Sequence, residues 1–345
     1  MLILGIETTV DDTGVALVKD GWDVVSSIVS SQNIMHEKYG GIVPEISSRM
    51  HAENILPVLE EALFQGKTKL SDIRCIAISA TPGLVGSLLI GINCAKTLSL
   101  VLNKPLVAIN DLESHAYSVC LEDVSAYNDF NDPSSWPKIY LIVSGGTTQL
   151  IYAKGIGDYH TVGDTLDDSA GETLDKVARL MGYQFPGGPA IEKASQGISP
   201  TITLPKPMHK DGTANFSFSG LKTSVVNKIR GAGELDTEKR CLFASSLQAT
   251  VIEILIEKLK SACQKYKPKA VVLGGGVAAN TLLRQRVVQD MNVKVYIPQK
   301  KYCTDNASMT AGCAHRYFEH GVFSTIAEVA PFKFKDINGV TCATD

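Results

Sequence analysis

Val271-Val272-Leu273-Gly274-Gly275-Gly276-Val277-Ala278-Ala279-Asn280 is a β-branched apolar run that breaks into glycines and then into small residues. The run reads as a buried strand, and the glycines as a tight turn whose backbone N–H groups face outward. One such turn says little, because glycine is what tight turns use. Three segments upstream are built alike: Ile3-Leu4-Gly5-Ile6-Glu7-Thr8-Thr9, Ile76-Ala77-Ile78-Ser79-Ala80-Thr81-Pro82-Gly83 and Tyr140-Leu141-Ile142-Val143-Ser144-Gly145-Gly146-Thr147-Thr148. Several strand-to-turn units in one chain, with Ser and Thr hydroxyls beside them, point to a nucleotide held from two sides.

The 345 residues are enough for two domains of ordinary size. A net charge of −3 gives the molecule no overall basic field, so a nucleic-acid substrate would need a local patch or a partner. Eight cysteines are scattered with no Cys-x-x-Cys pair, which fits a reducing, cytoplasmic compartment. A strand beginning at residue 2 leaves no room for a signal peptide. The apolar stretch 84–102 is interrupted by Gly86, Ser87, Gly91, Asn93 and Lys96, and reads as a buried helix rather than a membrane span.

Outward from the four strands, the pattern predicts further strands at 14–19 and 22–30, a helix over 43–64, a strand at 74–80 and a helix over 86–102. After a polar stretch the order repeats, with strands at 138–144, 148–153 and 158–162 and a helix over 171–181. A Gly-, Pro-, Lys- and Ser-rich region at 183–235 is expected to form an inserted subdomain. A long helix over 238–266, strands at 269–273 and 293–297, a helix between them and a last helix from Asn306 to His320 complete the second half. Strand, strand, strand, helix thus occurs twice, an internal duplication of architecture. Two βββαβα halves with phosphate-type turns resemble the two-lobed α/β actin/Hsp70/sugar-kinase (ASKHA) superfamily, in which a nucleotide lies in the cleft between lobes. The expected lobes are 1–110 with about 303–345, and 111–302.

Several segments carry chemistry. Glu7 to Thr13 places acids and hydroxyls in a strand–turn–strand hairpin, suited to phosphate or metal-bound water and equally to satisfying turn amides. Asp111 and His115 stand four apart, so on a helix they share a face, the spacing two metal ligands need. The plainer reading is an ordinary helix start; Asp305 is the best candidate for a third ligand. Asp164, Asp167, Asp168, Glu172, Asp175 and Lys176 crowd one helix start, more charge than capping requires. Phe216 to Thr223 alternates aromatic and hydroxyl residues and includes Lys222, readable as polyanion contact or as an edge strand.

In their order along the chain these segments resemble the TsaD-like tRNA N6-adenosine threonylcarbamoyltransferases, formerly described as O-sialoglycoprotein endopeptidases. The resemblance runs over nearly the whole chain. It includes Gly5-Ile6-Glu7-Thr8, Tyr39-Gly40-Gly41-Ile42-Val43-Pro44-Glu45, Ser48-Arg49 with His51, and Pro82-Gly83-Leu84-Val85-Gly86. It continues through Val143-Ser144-Gly145-Gly146, Asp167-Asp168 with Gly171-Glu172, Asp175-Lys176, Pro186-Gly187-Gly188-Pro189, Phe218-Ser219-Gly220-Leu221-Lys222, the Gly274 to Asn280 turn and Cys303-Thr304-Asp305-Asn306. It implies transfer of the threonylcarbamoyl group from threonylcarbamoyl-AMP to the N6 amine of the adenosine 3′ of the anticodon, in tRNAs reading A-starting codons. By the same resemblance Ile142, Val143, Ser144, Gly145, Gly146, Asp175, Gly188, Glu192 and Asn280 would hold the adenylate. Asp111, His115 and Asp305 would bind one divalent metal, iron(II) first, with zinc or magnesium as alternatives. The implied partners are tRNA, a smaller paralogous TsaB-like subunit and a small TsaE-like ATPase, with no membrane.

The chain departs from that pattern in several places. Asp111 stands where the family usually has histidine, Thr147 where Ser-Gly-Gly is followed by histidine, and Val10 and Asp12 where Cys and Glu are usual. Oxygen for nitrogen at 111 favours harder metals. The competing expectation is a catalytically weakened nucleotide-binding scaffold of the same complex. A metalloprotease is disfavoured, since there is no His-Glu-x-x-His.

Overall fold

In the computed structural model of the chain, residues 1–331 are described; the expected lobe segment from 332 to 345, Cys342 included, lies outside them. The chain forms two compact units, Met1–Ser135 with the chain from Pro298 onward, and Trp136–Ile297.

The first unit opens with β1 (Leu2–Glu7), β2 (Asp12–Lys19) and β3 (Asp23–Ser31), then α1 (Asn33–Glu37), α2 (Pro44–Gln65), β4 (Cys75–Thr81), α3 (Val85–Leu102), β5 (Leu106–Asn110), α4 (Asp111–Tyr117) and α5 (Val124–Asn131). Its sheet runs β3-β2-β1-β4-β5, with β1, β2 and β3 antiparallel and β1, β4 and β5 parallel. Strand alternation divides β1 between two faces. Leu4 and Ile6 join Ile55 and Leu59 of α2 and Leu88 and Ile92 of α3 in one core. The apolar stretch that could span a membrane by length is therefore α3, which buries Leu88, Ile92 and Ala95 in this core.

The second unit comprises β6 (Lys138–Val143), β7 (Thr148–Gly155), β8 (Asp158–Asp164), α6 (Ala170–Leu180), α7 (Gly187–Ala194), α8 (Ser219–Gly231), α9 (Thr237–Tyr266), β9 (Ala270–Gly274), α10 (Thr281–Asp290) and β10 (Lys294–Tyr296). Its sheet runs β10-β9-β6-β7-β8, again with three antiparallel strands first and two added in parallel. The expected duplication is therefore one of topology as well as element order. The region 183–235 is not a separate body: α7 packs on α6 and α9, and α8 packs on α6.

The chain returns to the first unit through α11 (Ala307–Glu319), which packs on β1, β2, β4 and α4. Gly5 makes room for it, since a Cβ there would meet the Ala307 carbonyl oxygen at 2.3 Å. The unit boundary accordingly falls at 135 and 298, not at 110 and 303. The reason is packing: α4 lies on α11, and Tyr117 and Leu121 press against Gly312.

Candidate metal site and nucleotide-type turns

Three adjacent strands of the first unit end at one place. β1 ends in Glu7, β4 runs to Thr81, and β5 leads through Asn110 into α4. Asn110 caps α4 by accepting from the Leu112 N–H at 2.9 Å, which sets Asp111 and His115 on the first turns of that helix. Asp305 precedes α11, whose start is fixed when Asn306 accepts from the Met309 N–H at 3.1 Å.

The result is a triad in which Asp111 and His115 are buried and Asp305 is half-buried. His115 Nε2 lies 3.4 Å from Asp111 Oδ2 and 3.1 Å from Asp305 Oδ1. One donor atom from each residue lies within 4.8 Å of the other two. Two donors each about 2.1 Å from a shared cation stand about 3.0–3.4 Å apart between octahedral and tetrahedral angles, so both histidine–carboxylate spacings suit a common metal. Two carboxylates and an imidazole form a donor set for iron, zinc, manganese or magnesium. His115 Nδ1 is buried with no hydrogen-bond partner, leaving that ring edge without the support a ligating histidine usually has.

The surroundings are short of positive charge. Glu7 is fully buried, and burial followed by Asp111 and Asp305 holds its carboxyl well above the usual range. Burial, reinforced by Asp305 but opposed by His115, pushes Asp111 up to about 7. Burial, Asp12 and Asp305 raise Asp11 to about 7, and Asp12 itself rises to about 6, chiefly through burial. For His115 burial works downward, but Asp111, Asp305 and Glu7 overcome it and lift the ring to about 9. A positive charge at the triad would offset the repulsion among Glu7, Asp111 and Asp305.

Residue patterns did not reveal two supports of the triad. Thr9 donates its N–H to Glu7 Oε1 at 2.7 Å and its hydroxyl to Asp305 Oδ2 at 3.4 Å. Glu113, between Asp111 and His115 on α4, is buried and receives Arg316 of α11 at 2.7 Å and the Tyr317 hydroxyl at 2.7 Å. Arg316 was the available signal, an arginine close after the small-residue run Ala311-Gly312-Cys313-Ala314.

In the second unit the expected adenylate residues stand at strand ends and helix starts. Ile142 and Val143 bury their side chains in β6, so only their backbone is available. In the following turn the Ser144 hydroxyl accepts from the Gly146 and Thr147 N–H groups at 3.3 and 3.1 Å. Those two amides are therefore spoken for, whereas Gly145 and Gly146 are exposed and border open space. Asp175 Oδ1 accepts from Gly187 and Gly188 N–H at 2.7 and 3.2 Å, tying α6 to the start of α7; burial raises its pKa and those two N–H groups oppose the rise. Glu192 accepts from Thr281 N–H at 3.0 Å. Asn280 caps α10 through Leu283 N–H at 3.0 Å and donates to Gln248 at 2.8 Å.

These residues therefore shape the turns. A Cβ on Gly275, at φ +89, would meet the Val143 carbonyl oxygen at 2.4 Å, and one on Gly171 would meet that of Ser144 at 2.4 Å. The β6 turn, the β9 turn and the α6 start are thus packed at the same strand ends.

The acidic cluster before α6 is structural. Asp167 caps α8 through the Phe218 and Ser219 N–H groups at 2.7 and 3.1 Å, while Asp168 pairs with Lys176 and Lys222. Lys222 is thereby engaged, and Ser219 begins a helix rather than continuing an edge strand. In the Lys-rich stretch, Lys206 pairs with Glu253; Lys228 and Arg230 on α8 are exposed.

The family model described as "TsaD: tRNA N6-adenosine threonylcarbamoyltransferase" matches residues 23–312. Curated proteins carrying that activity as their name are 43% identical over 329 residues in Kosmotoga olearia (94% of this chain, 96% of the relative) and 42% identical over 327 residues in Bacillus subtilis (93% and 92%). Among solved structures, HypF of T. kodakarensis superposes with a TM-score of 0.61 at 14% identity, covering 92% of this chain and 48% of its own. Component A of the (R)-2-hydroxyglutaryl-CoA dehydratase of Acidaminococcus fermentans gives 0.54 at 14% identity, covering 92% and 98%. These two likenesses concern the fold, which is the ASKHA architecture.

Proposed function

The chain belongs to the TsaD family of tRNA N6-adenosine threonylcarbamoyltransferases and carries that activity on tRNA; we propose that its donor is threonylcarbamoyl-AMP and that Asp111, His115 and Asp305 hold the one divalent metal it works with. The observation that carries the metal reading is the triad, with both carboxylates at 3.1–3.4 Å from one imidazole nitrogen. Iron(II) is our first assignment, with zinc and magnesium as alternatives. When bound, the cation supplies Lewis-acid stabilisation of negative charge on the donor.

The chain's own residues position the reactants. The donor is already activated as an acyl-adenylate, so no protein nucleophile is required; orientation and electrostatics suffice. The exposed Gly145 and Gly146 backbone and the Gly188 turn let a nucleotide approach closely, since nothing stands where their side chains would be. Asp175, Glu192 and Asn280 keep those turns and helix starts in place. We further assign exposed Lys228 and Arg230 to the tRNA phosphates, and expect a smaller TsaB-like paralogue and a TsaE-like ATPase as partners in the cytoplasm.

The test is a reconstituted transfer from threonylcarbamoyl-AMP to tRNA, reading the modified nucleoside by mass. Wild type modifies the tRNA, and His115→Ala and Asp305→Ala lose at least about a hundredfold. Unchanged transfer in either variant overturns the metal assignment. A second reading, a weakened scaffold, draws on Asp111 standing where histidine is usual. It predicts that purified protein carries no divalent metal and gains nothing from any added.

A further inference from the structure

We propose that His51 is a positioning residue for the metal site: with Ser47 and Ser87 it holds the Val10 carbonyl, and so sets Thr9 against the ligand Asp305. The inference rests on the metal reading above, but its observations are independent of any ion. His51 lies on α2, is fully buried, and uses both ring nitrogens. Its Nδ1 meets the Thr13 hydroxyl at 2.8 Å and its Nε2 meets the Val10 carbonyl at 3.2 Å. A carbonyl can only accept, so Nε2 carries the proton; burial keeps the ring's pKa low, so the ring is neutral and Thr13 donates to Nδ1.

The same carbonyl also receives the Ser47 hydroxyl from α2 and the Ser87 hydroxyl from α3 at 3.4 Å, and the two serines meet at 2.9 Å. One donor satisfies a half-buried carbonyl; His51 and Ser47, with the Ser87 hydroxyl shared between Ser47 and the carbonyl, hold it from two helices. The neighbouring peptide is held too: Thr9 O accepts from Leu84 N–H at 2.8 Å, and a Cβ on Gly83 would meet that oxygen at 2.6 Å. Thr9 then reaches Glu7 and Asp305 through its N–H and hydroxyl. The chain from His51 to the ligand is thus Val10, Thr9, Asp305. Packing alone would be served by leucine or isoleucine, as at Ile55 and Leu59 on the same helix.

The test uses the full-length protein and Mn²⁺ as probe metal, with His51→Asn and His51→Gln. Asparagine keeps a group where Nδ1 stands and cannot reach Val10; glutamine keeps a donor where Nε2 stands. The proposal expects Asn to weaken Mn²⁺ binding and kcat by about ten- to a hundredfold with KM for tRNA unchanged, and Gln to stay within about threefold. It is overturned if Asn stays within about threefold, or if both variants fall together with melting temperature, the mark of a packing residue. If wild type binds no Mn²⁺, hydrogen exchange decides the clamp. Faster exchange at the Thr9 and Leu84 amides in Asn but not Gln upholds it, and equal exchange ends it.

Discussion

Asp111 and His115 were legible because a spacing of four on a helix is a statement about one face, and α4 obeys it. Asp305 was legible only as the best remaining candidate, since its approach depends on a chain return of nearly two hundred residues. Glu7 and Asp111 show why the site's electrostatics were not legible: both carboxyls are raised by burial, a property of the whole unit rather than of the local sequence. Asp111→His would remove one of the acids that raise Glu7 and replace an oxygen ligand by nitrogen. We expect relative affinity to move from magnesium toward zinc and iron by about tenfold, measured by metal competition on the purified protein. Asn280 poses a different question, because both ends of its amide are engaged by Leu283 and Gln248. Asn280→Ala should cost about 1–2 kcal/mol of stability through the lost cap and the stranded Gln248, read as a lower unfolding midpoint. A raised donor KM with an unchanged midpoint would show instead that Asn280 touches the adenylate.

Helix α4 carries Asp111 and His115 and α11 follows Asp305, so the triad is only as well defined as the contact between those helices. Glu113 and Arg316 supply that contact, each only 3% exposed and 2.7 Å apart, with Arg316 lying 4.7 Å over the Tyr117 ring. Removing one partner of a buried pair strands the other's charge. Glu113→Ala should therefore cost about 3–5 kcal/mol and weaken metal binding, whereas Glu113→Gln keeps one oxygen acceptor for Arg316, with its NH2 turned to the Tyr317 hydroxyl oxygen, and should lose less. Denaturant unfolding and metal titration together check this; unchanged metal affinity in Glu113→Ala would detach the pair from the site. The elements themselves were largely legible because apolar periodicity is strong in them. The strands β1 to β4 and β6 to β9 and the helices α2, α3, α6 and α9 fall within a few residues of expectation. The short β5 was missed, hidden between the Asn103-Lys104-Pro105 turn and α4. The lobe boundary was missed for a related reason, because what assigns 111–135 to the first unit is packing on α11, which no local pattern encodes.

The buried acids beside the triad and the paired acids of the second unit should answer pH in opposite directions. Among the former, Asp11 and Asp111 are raised to about 7 and Asp12 to about 6, so the folded state holds protons that the unfolded chain, with carboxyls near pKa 4, has released. Their neutral forms are what the fold tolerates, so stability is lost as pH rises through those values. His115, raised to about 9, acts in the same direction: its contribution is full below about 6.5 and is lost toward 9. These groups should therefore make the metal-free protein less stable as pH rises from about 5 to 9. A bound divalent cation takes the place of those protons and flattens the dependence. For two paired acids of the second unit the sign reverses. The Lys258 hydrogen bond, with support from Thr213, lowers Asp211 to about 2, and Asp168 is lowered by Lys222 and Lys176 against its own burial. Those contributions are present above about pH 4 and are lost as pH falls toward 2. Thermal unfolding followed across pH 2–9, with and without Mn²⁺, separates the two. A metal-free midpoint that rises between pH 5 and pH 9 would contradict the buried-acid picture, and a midpoint indifferent to pH below 4 would contradict the Asp211 and Asp168 pairs.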